Sequence, residues 1–233
     1  MMANLKDDFV SAWSSACRTA FADPRDPWKK NVNRTAATEA NLRACLDIAD
    51  QLESGRFSLV FTKRSESIEH LASDLCSRKN WHRHAGEFLR LDFSILDRGA
   101  PTECALSAEL ENNSISLESK PETVDFLHND AFGLSDFTKL LAAPSRIRLY
   151  IGRTMSHGKA TKKHADTIKE HLSSLVANAV ARGRLHASDY VLVLLVRMRE
   201  TRKEWDTYEL DFDVGQRLPE GAELKWERQT ASF

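Results

Sequence analysis

The alternation of helical and strand-like apolar patterns along the 233 residues predicts an α/β protein, a three-layer-like sandwich in which helices flank a central mixed β-sheet. Three observations carry that reading. Several long segments repeat apolar residues at i, i+3, i+4 and i+7. Several short ones alternate apolar with polar. One, Tyr190-Val-Leu-Val-Leu-Leu-Val196, is continuously apolar, as a central strand covered on both faces would be.

The elements follow in order. Leu5, Phe9, Ala12, Trp13, Ala16, Cys17 and Ala20 fall on one helical stripe, which Asp23-Pro24 stops. After a loop with Pro27 and Trp28, Thr38 is placed to cap a second helix, whose stripe is Leu42, Cys45, Leu46, Ala49 and Leu52 and which Gly55 ends. Phe57 to Phe61 reads as a strand. Ser65 or Ser67 then opens a third helix with Ile68, Leu71, Ala72, Leu75 and Cys76 on its apolar face. Trp81-His-Arg-His84 leads into an alternating segment from Arg90 to Asp97. A turn at Arg98-Gly99 with Pro101 joins this to a strand through Glu109 as an antiparallel hairpin. The polar stretch from Asn112 to Asn129 reads as loop. Ser135 to Ala142 is helical and ends at Pro144, and Arg146 to Gly152 alternates as a strand. A long helix runs along Ala165, Ile168, Leu172, Leu175, Val176, Ala179 and Val180 to Gly183. The Tyr190 strand follows, and Trp205 to Phe212 gives one more.

A single domain is expected over residues 1–233, with an N-terminal helical part (1–56), an α/β core (57–213) and a C-terminal extension (214–233). No internal repeat, G-x-x-x-x-G-K-[ST] loop or G-x-G-x-x-G turn is present, which disfavours nucleotide-binding folds of those kinds. Cys17, Cys45, Cys76 and Cys104 are isolated, so a zinc site or disulfide framework is not indicated, and buried reduced thiols are expected. No apolar stretch is long enough to cross a bilayer and no signal-peptide core opens the chain, so the expectation is a cytoplasmic protein without a membrane partner.

Net charge is −1, but it is unevenly spread. Residues 139–203 hold 14 Lys and Arg against 4 Asp and Glu, a balance of +10, and the remainder holds 19 against 30, or −11. Such a block is either a solvated face or a phosphate-binding one.

The chemistry-bearing pattern is acidic. On a strand Glu109 and Glu111 point the same way, while Ala108 and Leu110 point into the packed side. Asp92, on the other arm of the predicted hairpin, is placed to face them. Carboxylates gathered at one spot repel unless a cation neutralises them, and Mg²⁺ is commonly held by a few carboxylates with water and substrate phosphates. The alternative is an ordinary solvent-facing row on a half-buried strand.

With Asp92 on one strand, Glu109-x-Glu111 on the next, then a helix with Lys139, a strand, a long helix and a buried strand, residues 57–213 resemble the PD-(D/E)xK restriction-endonuclease-like superfamily in an E-x-E variant. The resemblance implies a restriction-endonuclease-like core and a metal-dependent nuclease that hydrolyses DNA phosphodiester bonds with Mg²⁺ or Mn²⁺. It implies that Asp92 and Glu109 hold the metal. Glu111 stands where the family usually has lysine, with Lys139 on the following helix as a stand-in. Glu87 is a candidate outer ligand. A homodimer is an expectation of the same kind. The rival reading is a catalytically inactive nuclease-fold protein that acts as a nucleic-acid-binding or protein-interaction module.

Metal ions solve the problem of phosphodiester hydrolysis by neutralising the phosphate charge and lowering the pKa of bound water. Glu111 or Lys139 would then orient or deprotonate that water. His157, Lys159, Lys162, Lys163 and His164 precede the long helix, and with Arg153 the lysines are candidate nucleic-acid contacts by charge and by the helix amides. The alternative for this loop is plain solvation. His82 and His84 flank Arg83 with no third ligand nearby in sequence, so surface or phosphate-proximal histidines are the favoured reading there.

Overall fold

A computed structural model describes residues 4–20, 30–53, 55–62, 64–100, 102–115, 134–154, 160–197, 209–217 and 221–232. The α/β class holds: the described residues form five helices and eight strands. They divide into two compact units, one of the described residues within 1–110 and 144–146, the other of those within 111–143 and 147–232.

In the first unit α1 (Leu5–Ala20), α2 (Lys30–Asp50) and α3 (Glu66–Lys79) accompany β1 (Phe57–Phe61), β2 (His82–Ala85), β3 (Phe93–Asp97) and the start of β4 (Cys104–Ile115). The α1 stripe is buried as expected at Leu5, Phe9, Trp13, Ala16 and Cys17, and Trp13 Nε1 donates to Asn41 Oδ1 at 3.0 Å. The second helix begins at Lys30, well before Thr38. No proline or glycine interrupts the chain between Pro27 and Thr38, so nothing stops the helix from extending backwards. It contacts both α1 and α3, which explains why Ala40, Ala44 and Ile48 are buried besides the expected stripe. The third helix has extended Ser65 at its N-cap, Glu66 and Glu69 in its first turn, and left-handed Asn80 at its end.

Strand order in this unit is β2-β1-β3-β4, with β1/β2 parallel and β1/β3 and β3/β4 antiparallel. The parallel β1/β2 pairing through α3 was not anticipated. It makes His82 to Ala85 an edge strand rather than a lead-in. Register sorts the side chains into two faces. Leu59, Phe61, Phe93, Ile95, Leu106 and Ala108 share one, where Arg83 stacks over the Phe61 ring at 3.7 Å and pairs with Glu69 of α3 at 3.1 Å. Ser58, Val60, Ser94, Ser107 and Glu109 share the other, and they too are buried.

The hairpin from β3 to β4 forms as predicted. Asp97 Oδ1 accepts from the Gly99 amide at 2.8 Å, the Asx turn that makes Asp97 a turn residue. Asp92 itself lies in a bend just before β3, because the chain enters from a tight turn at Phe88–Leu91. Leu89 and Arg90, at the tip of that turn, have φ of 54° and 60°. For L-residues with a Cβ this costs about 1–2 kcal/mol each.

The second unit holds α4 (Leu134–Ala142), α5 (Ala160–Ala181), β5 (Ser145–Thr154), β6 (Tyr190–Arg197), β7 (Glu209–Arg217) and β8 (Lys225–Ser232). Order is β5-β6-β7-β8, with the first pair parallel and the others antiparallel. Central β6 is buried from Val191 to Val196, as its unbroken apolar run requires. Both helices lie against one face. Phe137 meets Tyr150 edge-on at 5.1 Å, Trp226 Nε1 donates to Ser173 Oγ at 2.9 Å, and Lys169 lies 3.8 Å from buried Asp213. The expected Trp205–Phe212 strand starts at Glu209, with residues 201–208 outside the described set. Residues of the expected C-terminal extension complete β7 and form β8, where Trp226 covers Gly215 across the ladder.

This unit also buries two arginines. Arg148 donates to Asp189 Oδ2 at 3.0 Å and to the Leu140 and Ala143 carbonyls at 3.2 and 2.6 Å, so it satisfies the end of α4. Arg217 donates to the carbonyls of Gly221, His186 and Asp189. Burial pushes the Arg217 guanidinium below its ordinary value, and the Asp189 charge opposes that shift.

Candidate functional site

Strand pairing brings the first unit's acids to one end of its sheet. The β3/β4 register pairs Ile95 with Leu106, Ser94 with Ser107 and Phe93 with Ala108. One step further sets Asp92 beside Glu109. Asp92 Oδ2 accepts the Leu110 amide at 2.9 Å, so its carboxylate is held against the backbone of the residue that follows Glu109. An aspartate takes the strand amide at the end of the ladder, which fixes its position more firmly than a solvent-facing side chain would be.

Glu109 is 3 % exposed. An ordinary solvated strand face is thereby excluded for this residue, since acidic side chains are almost never so buried without compensation. Leu110 and Ala108 pack on the opposite side as predicted, so the strand is covered on both faces. The backbone of Glu111 continues β4, and its side chain lies outside the described residues.

Glu87 is at the same end. Its Oε1 accepts from Thr62 Oγ1 at 3.3 Å, just past the end of β1. The remaining candidates are elsewhere or beyond description. Lys139 pairs with Asp136 one turn earlier in α4, at 2.6 Å. Arg153 continues β5, and Lys162 and Lys163 open α5, with side chains outside the described residues. Lys159 lies outside them altogether. His82 and His84 are exposed on the edge strand with ring centroids 6.4 Å apart. Among the described residues no three His, Cys, Asp or Glu side chains form a metal-holding group, and no helix is long and apolar enough to cross a membrane.

Two residues beside the acids escaped sequence reasoning. Ser94 and Ser107 face each other in register on the Glu109 side, both 0 % exposed, and neither Oγ has a hydrogen-bond partner among the described residues. Buried hydroxyls of this kind ordinarily hold ordered water. In the sequence Ser107-x-Glu109 imitates a solvated face, so only its burial reveals the polar strip.

Burial favours the neutral thiol at Cys17 and Cys45. Burial pushes Cys17 up to about 12, and burial followed by the charges of Asp92 and Asp47 pushes Cys45 up as well. Thiolates would be needed for nucleophilic work.

No family model matches the chain, and no curated protein matches its sequence.

Proposed function

We propose that the chain is a metal-dependent nuclease that hydrolyses DNA phosphodiester bonds at the end of the β3/β4 hairpin. The observation that carries this reading is the burial of Glu109 opposite an aspartate held on the adjacent backbone amide. Asp92 and Glu109 supply hard oxygen donors of the number and kind that Mg²⁺ takes when water and substrate phosphates complete its shell. The donor set therefore fits Mg²⁺ or Mn²⁺. Bound there, the ion would neutralise phosphate charge and acidify water. Asp92 and Glu109 would fix its position, and Glu87 would add negative charge at the same sheet end. By the family resemblance alone, the base that orients or deprotonates water would be Glu111 or Lys139. The +10 balance of residues 139–203 supports a polyanionic partner.

Glu111, where the resembling family has lysine, supports a second reading in which the same site binds DNA without cutting it. The test is plasmid and single-stranded DNA cleavage with Mg²⁺ or Mn²⁺, comparing the parent with Asp92→Ala and Glu109→Gln. Cleavage by the parent alone is expected. DNA binding with equal residual cutting in all three would favour the binding module.

A further inference from the structure

The turn that delivers the chain to Asp92 has a shape its residues do not favour. Phe88 and Leu91 pair as an antiparallel bridge, and the Leu91 amide donates to the Phe88 carbonyl at 3.0 Å. The two-residue loop between them has positive φ at both positions, 54° at Leu89 and 60° at Arg90. Asn-Gly or Asp-Gly ordinarily fills such a loop. Both side chains are exposed, and Leu89, at 55 %, is the more exposed of the two large apolar residues at the surface among the described ones. Burial therefore does not offset the strain at Leu89. The anchors are firm: Leu91 is 0 % exposed, Asp92 is tied to the Leu110 amide, and the Gly86 amide donates to the Phe61 carbonyl at 3.1 Å. Strained backbone held in place by its surroundings concentrates at sites of function.

We propose that the Phe88–Leu91 turn is the nucleic-acid contact of the candidate site, with Leu89 seated against a nucleobase face and Arg90 against the neighbouring phosphate. This rests on the reading of Asp92 and Glu109 as a DNA-cutting centre. Apolar side chains that project from a rigid turn insert against bases, and an adjacent guanidinium matches the phosphate geometry. Leu89 is three residues from Asp92, so their Cα atoms lie within about 10 Å of one another, a span of about three nucleotides along one strand. A contact at that distance would set which bases flank the cut.

The experiment is fluorescence-anisotropy titration of labelled single-stranded and duplex DNA in EDTA, which holds cleavage off, for the parent, Leu89→Asn, Arg90→Gln and the double variant Leu89→Asn/Arg90→Gly. Leu71→Asn, at the other exposed apolar residue, is the control. Leu89→Asn should weaken binding roughly tenfold with an unchanged salt slope, in line with the loss of one base-face contact. Arg90→Gln should lower the slope of log K against log salt by about 0.9, the signature of one lost phosphate contact. The double variant should melt at or above the parent temperature, because its residues suit the turn. Binding by the parent that all the turn variants retain would overturn this inference and leave the reading of Asp92 and Glu109 intact. A parent that neither binds nor cuts DNA would remove both.

Discussion

Asp189→Ala should be among the most damaging single substitutions in the second unit, although it lies outside the acidic cluster. Asp189 is 4 % exposed and receives Arg148 at 3.0 Å and the His186 amide at 3.0 Å on the same Oδ2. Its own carbonyl receives Arg217 at 2.7 Å. Removing the carboxylate takes the ion-pair partner from Arg148, 2 % exposed, and the favourable charge from the neighbourhood of Arg217, 1 % exposed. Loss of one partner from a buried pair costs about 3–5 kcal/mol. Arg148 keeps the carbonyls of Leu140 and Ala143, which places the expectation near the lower end, about 3 kcal/mol. Against a total stability of about 5–15 kcal/mol this is a large fraction. At about 2–4 °C per kcal/mol it lowers the melting temperature by about 6–12 °C. Urea unfolding followed by circular dichroism measures it. Arg148→Met in the Asp189→Ala background should cost less than Arg148→Met alone, with a coupling above about 1 kcal/mol. Additive losses, or a cost below about 1 kcal/mol for Asp189→Ala, would refute the account of Asp189 as the counter-charge of Arg148.

Other outcomes follow from the same structure. Glu109→Gln and Asp92→Ala should each reduce metal-dependent DNA cleavage by at least about a hundredfold, the scale expected for loss of positioned electrostatic stabilisation; plasmid nicking rates check this, and unchanged rates would exclude these carboxylates from the chemistry. Gly215→Ala would place a Cβ 2.8–2.9 Å from three atoms of the Trp226 ring, which its bond to Ser173 holds in place, so a loss of about 1–3 kcal/mol is expected in urea titrations. Leu89→Asn should raise stability by up to about 1 kcal/mol by relieving the left-handed strain, and a fall in melting temperature would contradict it. Below the ordinary thiol range Cys17 and Cys45 are protonated in both folded and unfolded chains and add no pH dependence. Above it the unfolded thiols ionise first, so stability falls by up to about 1.4 kcal/mol per pH unit per thiol as pH rises towards 12. Denaturation measured at about pH 8 and about pH 10.5 checks this, a flat profile being the refuting result.

What the sequence determined by itself were the features set by local periodicity and by turn chemistry. The buried stripe of α1, the buried Ile68, Ala72, Leu75 and Cys76 of α3, the apolar run of β6 and the turn at Arg98-Gly99 are each written in a few neighbouring residues, whereas Leu71, expected on the apolar face of α3, is exposed because no described element covers that side of the helix. The pairing of Asp92 with the Glu109 strand was legible too, because the turn residues Arg98-Gly99 and the alternation on either side dictate a hairpin. Tertiary structure decided whatever depends on coverage from above or below a strand. Glu109 with Ser107 reads as a wet face in sequence, since alternation shows which residues share a side and not whether that side meets water. The edge strand β2, the backward extension of α2 and strand β8 likewise depend on distant partners. The turn at Leu89-Arg90 carries no glycine or asparagine to announce it, since its shape is held by anchors at Leu91, Asp92 and Gly86. The Arg148, Asp189 and Arg217 network joins residues 41 and 28 positions apart, a separation that local patterns cannot encode.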